Sequence, residues 1–192
     1  MLLKHIIPSK TRLKILELFF HSPQEQHYLR EVVRLIDEEV NAVKRELDIL
    51  DKEKLLLKER RLNKVFYSLN KHYILYEEFM RIFAKSDTLG ALIYKNLSRL
   101  GKVKFIAESM KYAKRQPIKE DEVYLLVVGT VVVPEISAII SEVEKEFGRE
   151  INYTVMTDEE FSFRKKNNDP FLWRFLKCPK IMLVGSEDDL VK

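Results

Sequence analysis

The sequence predicts an α+β chain of two domains joined by a helical connector. Three observations predict it. Residues 9–53 carry apolar side chains at helical spacing in three runs, and a short alternating stretch follows them. Residues 102–192 alternate strand-like and helix-like segments, the pattern of a mixed sheet covered by helices. Charge divides along the same line. Residues 1–72 hold 15 Lys/Arg against 11 Asp/Glu, whereas residues 73–192 hold 19 of each.

Composition bounds the partners. The chain is 46% hydrophobic and 33% charged, as soluble globular proteins are. No run approaches the roughly 20 apolar residues of a membrane span, so no membrane partner is expected. Met1–Pro8 is too short an apolar stretch for a secretory signal. The lone Cys178 excludes an intrachain disulfide and argues against a cysteine zinc site. His5, His21, His27 and His72 lack zinc-like spacing and read as surface or structural residues. The expectation is a cytoplasmic protein with no metal and no cofactor.

The N-terminal elements follow in order. Ser9 caps a helix over Lys10–Phe20, with Leu13, Leu16 and Phe20 on one face and His21-Ser22-Pro23 as its stop. A second helix spans Tyr28–Ile36, with Leu29, Val32 and Ile36 inward. Asp37 is expected to cap a third, from Glu38 to about Glu53. Its apolar positions Val40, Val43, Leu47 and Leu50 fall three, four and three apart, which draws one stripe. The opposite face carries Asn41, Ala42, Arg45 and Lys52, with Lys44 on the flank. Leu55–Arg60 then has strand character, Arg61–Lys64 turns through Asn63, and Val65–Asn70 alternates Val65, Tyr67 and Leu69 on one side.

Three helices and a basic hairpin in this order make a winged helix-turn-helix, which lays its third helix in the major groove of double-stranded DNA. Arg45 suits guanine and Asn41 adenine, Lys44 suits a phosphate, and Ala42 and Lys52 share the face. The basic excess gathers at Lys52, Lys54, Lys58, Arg60, Arg61 and Lys64 against Glu53 and Glu59. Arg60, Arg61 and Lys64 would touch the sugar-phosphate backbone. Charge alone does not separate this from a solvated hairpin, since lysine is common on edge strands. Asp37, Glu38 and Glu39 suit a helix start but would repel phosphates if they faced the groove.

The stretch Ala42–Leu50, then Leu55-Leu56-Leu57 and Phe66–Asn70, resembles the ArsR-like winged-helix regulators of bacteria and archaea. The resemblance covers the N-terminal domain, residues 1–72, and implies transcription regulation by DNA binding as a homodimer. None of the metal-sensing cysteines of the arsenical repressors is present, so no metal-sensor role carries over.

The connector, 73–101, reads as two helices. Ile74–Ala84 has Leu75, Phe79, Ile82 and Phe83 inward. Ser86 or Asp87 caps the next, which runs to about Leu100 with Leu89, Leu92, Ile93 and Leu97 apolar, and Gly101 stops it. It serves either as a joint between domains or as a dimer interface.

The C-terminal domain, 102–192, reads as strand Val103–Ala107, strand Val123–Val128 ending at Gly129, helix Glu135–Phe147 ending at Gly148, and strand Ile151–Met156. A capping box at Thr157–Glu160 opens a helix that Asn168-Asp169-Pro170 breaks. Helix Phe171–Lys177, with Trp173 expected in the core, and strand Lys180–Val184 complete it. The order resembles the minimal nucleotidyltransferase fold. In active members a Gly-Ser turn holds triphosphate and paired carboxylates hold two metal ions. Here Ser109 matches, but Glu108 stands for the glycine, Glu122 for the first carboxylate and Tyr124 for the second. Strand Ile151–Thr154 supplies no third. The resemblance therefore implies a degenerate domain without catalytic residues, with Ser109, Lys111 and Glu122 as a vestigial nucleotide site and with Lys114 and Arg115 nearby.

The expected function is a DNA-binding transcriptional regulator whose C-terminal domain serves dimerisation, ligand binding or a protein partner. Two alternatives stay open. One is a nucleotidyltransferase enzyme. The other is an antitoxin-like protein-interaction module.

Overall fold

The computed structural model describes residues 3–192 and gathers them into two compact units, the first ending at Ser86 and the second beginning at Asp87. In the first unit, α1 (Lys10–His21) is capped by Ser9, whose Oγ accepts from the Arg12 amide at 3.2 Å. It buries Leu13, Ile15, Leu16, Phe19 and Phe20. β1 (His27–Tyr28), α2 (Leu29–Ile36), α3 (Val40–Lys52), β2 (Leu56–Arg61) and β3 (Lys64–Leu69) follow. The three strands form an antiparallel sheet in the order β1-β3-β2. β1 takes Tyr28 out of the expected second helix. A strand of two residues leaves no periodic signal.

Two expectations about α3 are corrected. Asp37 does not cap it, but ends α2 in the left-handed region at φ 49°. The cap is Glu39, whose Oε2 accepts from the Asn41 amide at 2.8 Å. Helix α3 therefore starts at Val40, ahead of the core, and Val40 is 41% exposed rather than inward. Its buried stripe is Val43, Glu46, Leu47 and Leu50. Each fully buried leucine or valine here contributes roughly 1.5–3 kcal/mol, which fixes the rotation of the helix and hence its outer face.

Helix α4 (Tyr76–Ser86) packs on α1, with Phe83 stacked on Phe20 at 4.8 Å between ring centroids. It buries Tyr76, Met80, Phe83 and Ala84, and leaves the expected core residues Leu75 and Ile82 44% and 42% exposed. The helix begins at Tyr76, two residues later than the spacing predicts, and its buried stripe of Tyr76, Met80 and Phe83 lies one residue on from Leu75, Phe79 and Ile82, with Phe83 inward as expected. The connector thus does not stand apart. Its first helix belongs to the first unit and its second to the next.

The second unit runs α5 (Thr88–Asn96), β4 (Gly101–Ser109), α6 (Met110–Ala113), β5 (Leu125–Val131), α7 (Val133–Phe147), β6 (Tyr153–Met156), α8 (Asp158–Lys166), α9 (Pro170–Lys177), β7 (Lys180–Val184) and α10 (Glu187–Val191). Its sheet has the order β6-β5-β4-β7 and is mixed, with β5 and β6 parallel and the other pairs antiparallel. Gly101 does not stop a helix; it opens β4 at φ +91°, where a Cβ would lie 2.4 Å from the Thr130 carbonyl oxygen. One sheet face buries Ile106, Leu125 and Val127 with residues of α5 and α7. The other buries Phe105, Ala107, Leu126 and Val128 with Phe161, Leu172 and Leu176. Trp173 sits half-buried at the edge of that core, not inside it. Among the described residues no helix is long and apolar enough to cross a membrane.

Candidate nucleic-acid interface

The buried stripe of α3 dictates what its other face offers. Asn41, Lys44, Arg45 and Lys52 are exposed and line one open hollow of about 470 Å³, together with Asp48 and Ile49. Ala42 lies half-buried beside them. Lys44, Arg45 and Lys52 make no ion pair among the described residues, so their charges face outward uncompensated.

The acidic residues near this face are mostly spent elsewhere. Glu38 turns to α1, where its Oε1 lies 2.7 Å from Lys14 Nζ and 3.1 Å from Lys10 Nζ. These two lysines hold its carboxyl below the usual range. Glu46 is buried and accepts from Ser9 Oγ at 2.8 Å and from Arg12 Nε at 2.7 Å. It ties the start of α1 to the middle of α3. Asp48 stays on the outer face and pairs with Lys58 of the hairpin at 3.1 Å.

The hairpin turns through Leu62 and Asn63, with Leu62 left-handed at φ 51°. Lys58 pairs across the strands with Tyr67, and Arg60 with Val65, so strand alternation puts Lys58 and Arg60 on one side. Arg61 falls on the other side. It is engaged by Glu59 through two bonds of 2.7 and 2.5 Å, so one of the three expected wing contacts is already neutralised within the hairpin. Lys64 sits over the Tyr28 ring at 4.1 Å.

These elements meet around a groove of about 540 Å³, lined by cations from three places: Arg30 of α2, Lys44 of α3, and Lys58 and Lys64 of the hairpin. Tyr28 and Tyr67 form its aromatic wall. Arg30 and Tyr28 escape sequence reasoning because neither lies in the third helix or the basic run. The signal that finds them is β1, which pairs Tyr28 with Phe66 and brings the start of α2 against the hairpin.

In the second unit, Ser109, Lys111 and Glu122 do come together, as lining of one small pocket of about 20 Å³. That holds about one water molecule. Glu122 Oε2 accepts from Lys111 Nζ at 2.7 Å and from the Lys119 amide N–H at 3.1 Å, and these two donors hold the Glu122 carboxyl below the usual range. Ser109 Oγ accepts from the Lys111 amide at 3.3 Å as the cap of α6. Each of the three thus has a partner in the protein.

Glu122 and Tyr124 do not share a strand face. The strand begins at Leu125. Tyr124 packs in the opposite core, its ring edge on Tyr112 at 5.3 Å and its hydroxyl donating to the Gln116 carbonyl at 2.9 Å. Glu108 is 0% exposed, and both its carboxyl oxygens lack a hydrogen-bond donor. Burial and the charge of Asp87 push its pKa well above the usual range, against the pull of Arg115 and Arg149. Comparison of the chain with protein-family models, with curated proteins and with solved structures finds no match.

Proposed function

We propose that this protein is a sequence-specific DNA-binding transcriptional regulator, and that its first unit is a winged helix-turn-helix of the ArsR-like kind. The observation that carries this reading is the convergence of Arg30, Lys44, Lys58 and Lys64 on one groove beside the exposed Asn41–Arg45 face of α3. Helix α3 enters the major groove, where Arg45 reads guanine through its two parallel donors and Asn41 reads adenine. The hairpin and the start of α2 straddle it on the phosphates. Glu38 and Glu46 do not oppose this, because lysines and Arg12 of the first unit absorb their charge. Binding occurs as a homodimer on two-fold related half-sites.

The second unit carries a degenerate nucleotidyltransferase-like site and no catalysis in this reading. Support comes from the Lys111–Glu122 ion pair and from Tyr124 packed into the far core, so the two positions that the resemblance matches to the metal-holding carboxylates do not act as a pair. Electrophoresis of the full chain with random duplex DNA tests the DNA reading, with binding expected at low salt and lost as salt rises. Incubation with labelled ATP, Mg²⁺ and acceptor nucleic acid tests the other half. Transfer that disappears in Glu122→Gln would overturn it.

A further inference from the structure

We propose that the second unit carries a binding groove for an oligophosphate group, on lysines of β4, α8 and the residue after α10. It lies apart from the Ser109 pocket and stands whether or not the first unit binds DNA. The groove has a volume of about 480 Å³, and its lining includes Lys104, Lys165, Lys166 and Lys192 with Phe161 and Trp173. That volume falls within the roughly 300–1,000 Å³ of small-molecule sites.

The charges of the groove are poorly balanced from within. Asp189 is its one acidic lining residue, and Asp189 Oδ2 is taken by Ser186 Oγ at 2.7 Å. Lys104 is offset by Asp158 at 3.1 Å. Lys165 donates to the Leu190 carbonyl at 2.8 Å, a partner without charge. Lys166 makes no ion pair among the described residues. Burial, and then the charge of Lys104, press the Lys165 pKa below its usual range, a shift that a further anion in the groove would oppose. The remedy is a ligand with several anionic oxygens a few ångströms apart. An oligophosphate has that form, and lysine binds it as a point charge without needing a planar partner.

The groove also contains its own reporter. Trp173 is the only tryptophan of the chain, and its indole N–H donates to the Lys165 carbonyl at 3.2 Å. Its emission therefore reports on this groove. The test is a titration of the full chain with inorganic tripolyphosphate at low salt, followed by Trp173 fluorescence. A saturable change that weakens as salt rises is expected. Lys166→Glu should weaken the apparent affinity by about tenfold or more, with thermal unfolding unchanged. Lys95→Met, outside the groove, should titrate as the parent does. An absent fluorescence change, or the same curve in Lys166→Glu, overturns the proposal. So does a change produced by short duplex DNA but not by tripolyphosphate, which would make this surface a nucleic-acid contact instead.

Discussion

At the residue scale the charged side chains divide by what answers them. Arg45 has no ion-pair partner among the described residues, so its guanidinium is free to meet a base edge in the proposed complex. We expect Arg45→Ala to weaken binding to a selected duplex by roughly 1–3 kcal/mol and to relax preference at one base pair, as read by competition with single-base variants. Equal loss on every duplex would instead make Arg45 a phosphate contact. Glu46 is the opposite case, buried and answered by Ser9 and Arg12. Its loss in Glu46→Ala should destabilise the first unit by roughly 1.5–3 kcal/mol in denaturant unfolding. Glu108 is buried and unanswered. Its pKa is raised, and that of Asp87 is raised to about 6 from 3.8, by burial first in both cases. A carboxyl with a raised folded pKa stabilises fully below its unfolded value and loses that contribution as pH climbs through the folded one. Stability of the second unit should therefore fall as pH rises from about 4 through 6 and beyond. Glu108→Gln, which cannot ionise, should flatten that decline and be the more stable form at neutral pH. Parallel pH curves for parent and variant would contradict it. Sequence alone marks Glu108 as a misfit for a phosphate turn, but not as a core residue, because its burial depends on which face of β4 turns toward α5 and α7.

At the element scale, most helices and strands were legible from periodicity, and the misses have local causes. Ser9, Thr157 and Gly148 announce the ends they hold, through an Oγ, an Oγ1 and a left-handed backbone at φ 61°. Asp37 misled because a residue before a helix resembles a cap whether it starts that helix or ends the previous one. Leu75 and Ile82 are misplaced because the periodicity of Leu75, Phe79 and Ile82 lies one residue ahead of the buried Tyr76, Met80 and Phe83, a rotation of about 100° about the helix axis. Of the candidate interface, the outer face of α3 is readable from the apolar stripe behind it. The contribution of Arg30 and Tyr28 is not, since it depends on the pairing of β1 with β3 over two residues. The hairpin supports a prediction of its own. The Lys58–Asp48 pair places a carboxylate where phosphates are expected, and it raises the Lys58 pKa. Asp48→Asn should free that cation and strengthen binding to all duplexes at low salt. Arg60→Ala and Lys64→Ala should each reduce the salt slope by about one. Arg61→Ala should do less, because Glu59 already neutralises it.

At the scale of the whole molecule, the basic surplus belongs to residues 1–72, and the second unit balances its charges overall while concentrating positive charge at Lys104, Lys165 and Lys166. Composition revealed the first fact and not the second, since lysines from β4 and α8 meet only once the sheet is folded. The mixed α+β class and the mixed sheet were legible from the alternation after residue 102. The assignment of the connector helices to different units was not, because an amphipathic helix does not name the core it joins. Everything proposed for the first unit turns on whether it reads DNA sequence. The measurement that tests it most directly is a selection of the full chain against random duplexes, with binding of the selected sequence then followed as salt is raised. An enriched motif in two related half-sites and an affinity that falls steeply with salt are expected. Absence of any salt-sensitive binding, or binding with no sequence enriched, would contradict it.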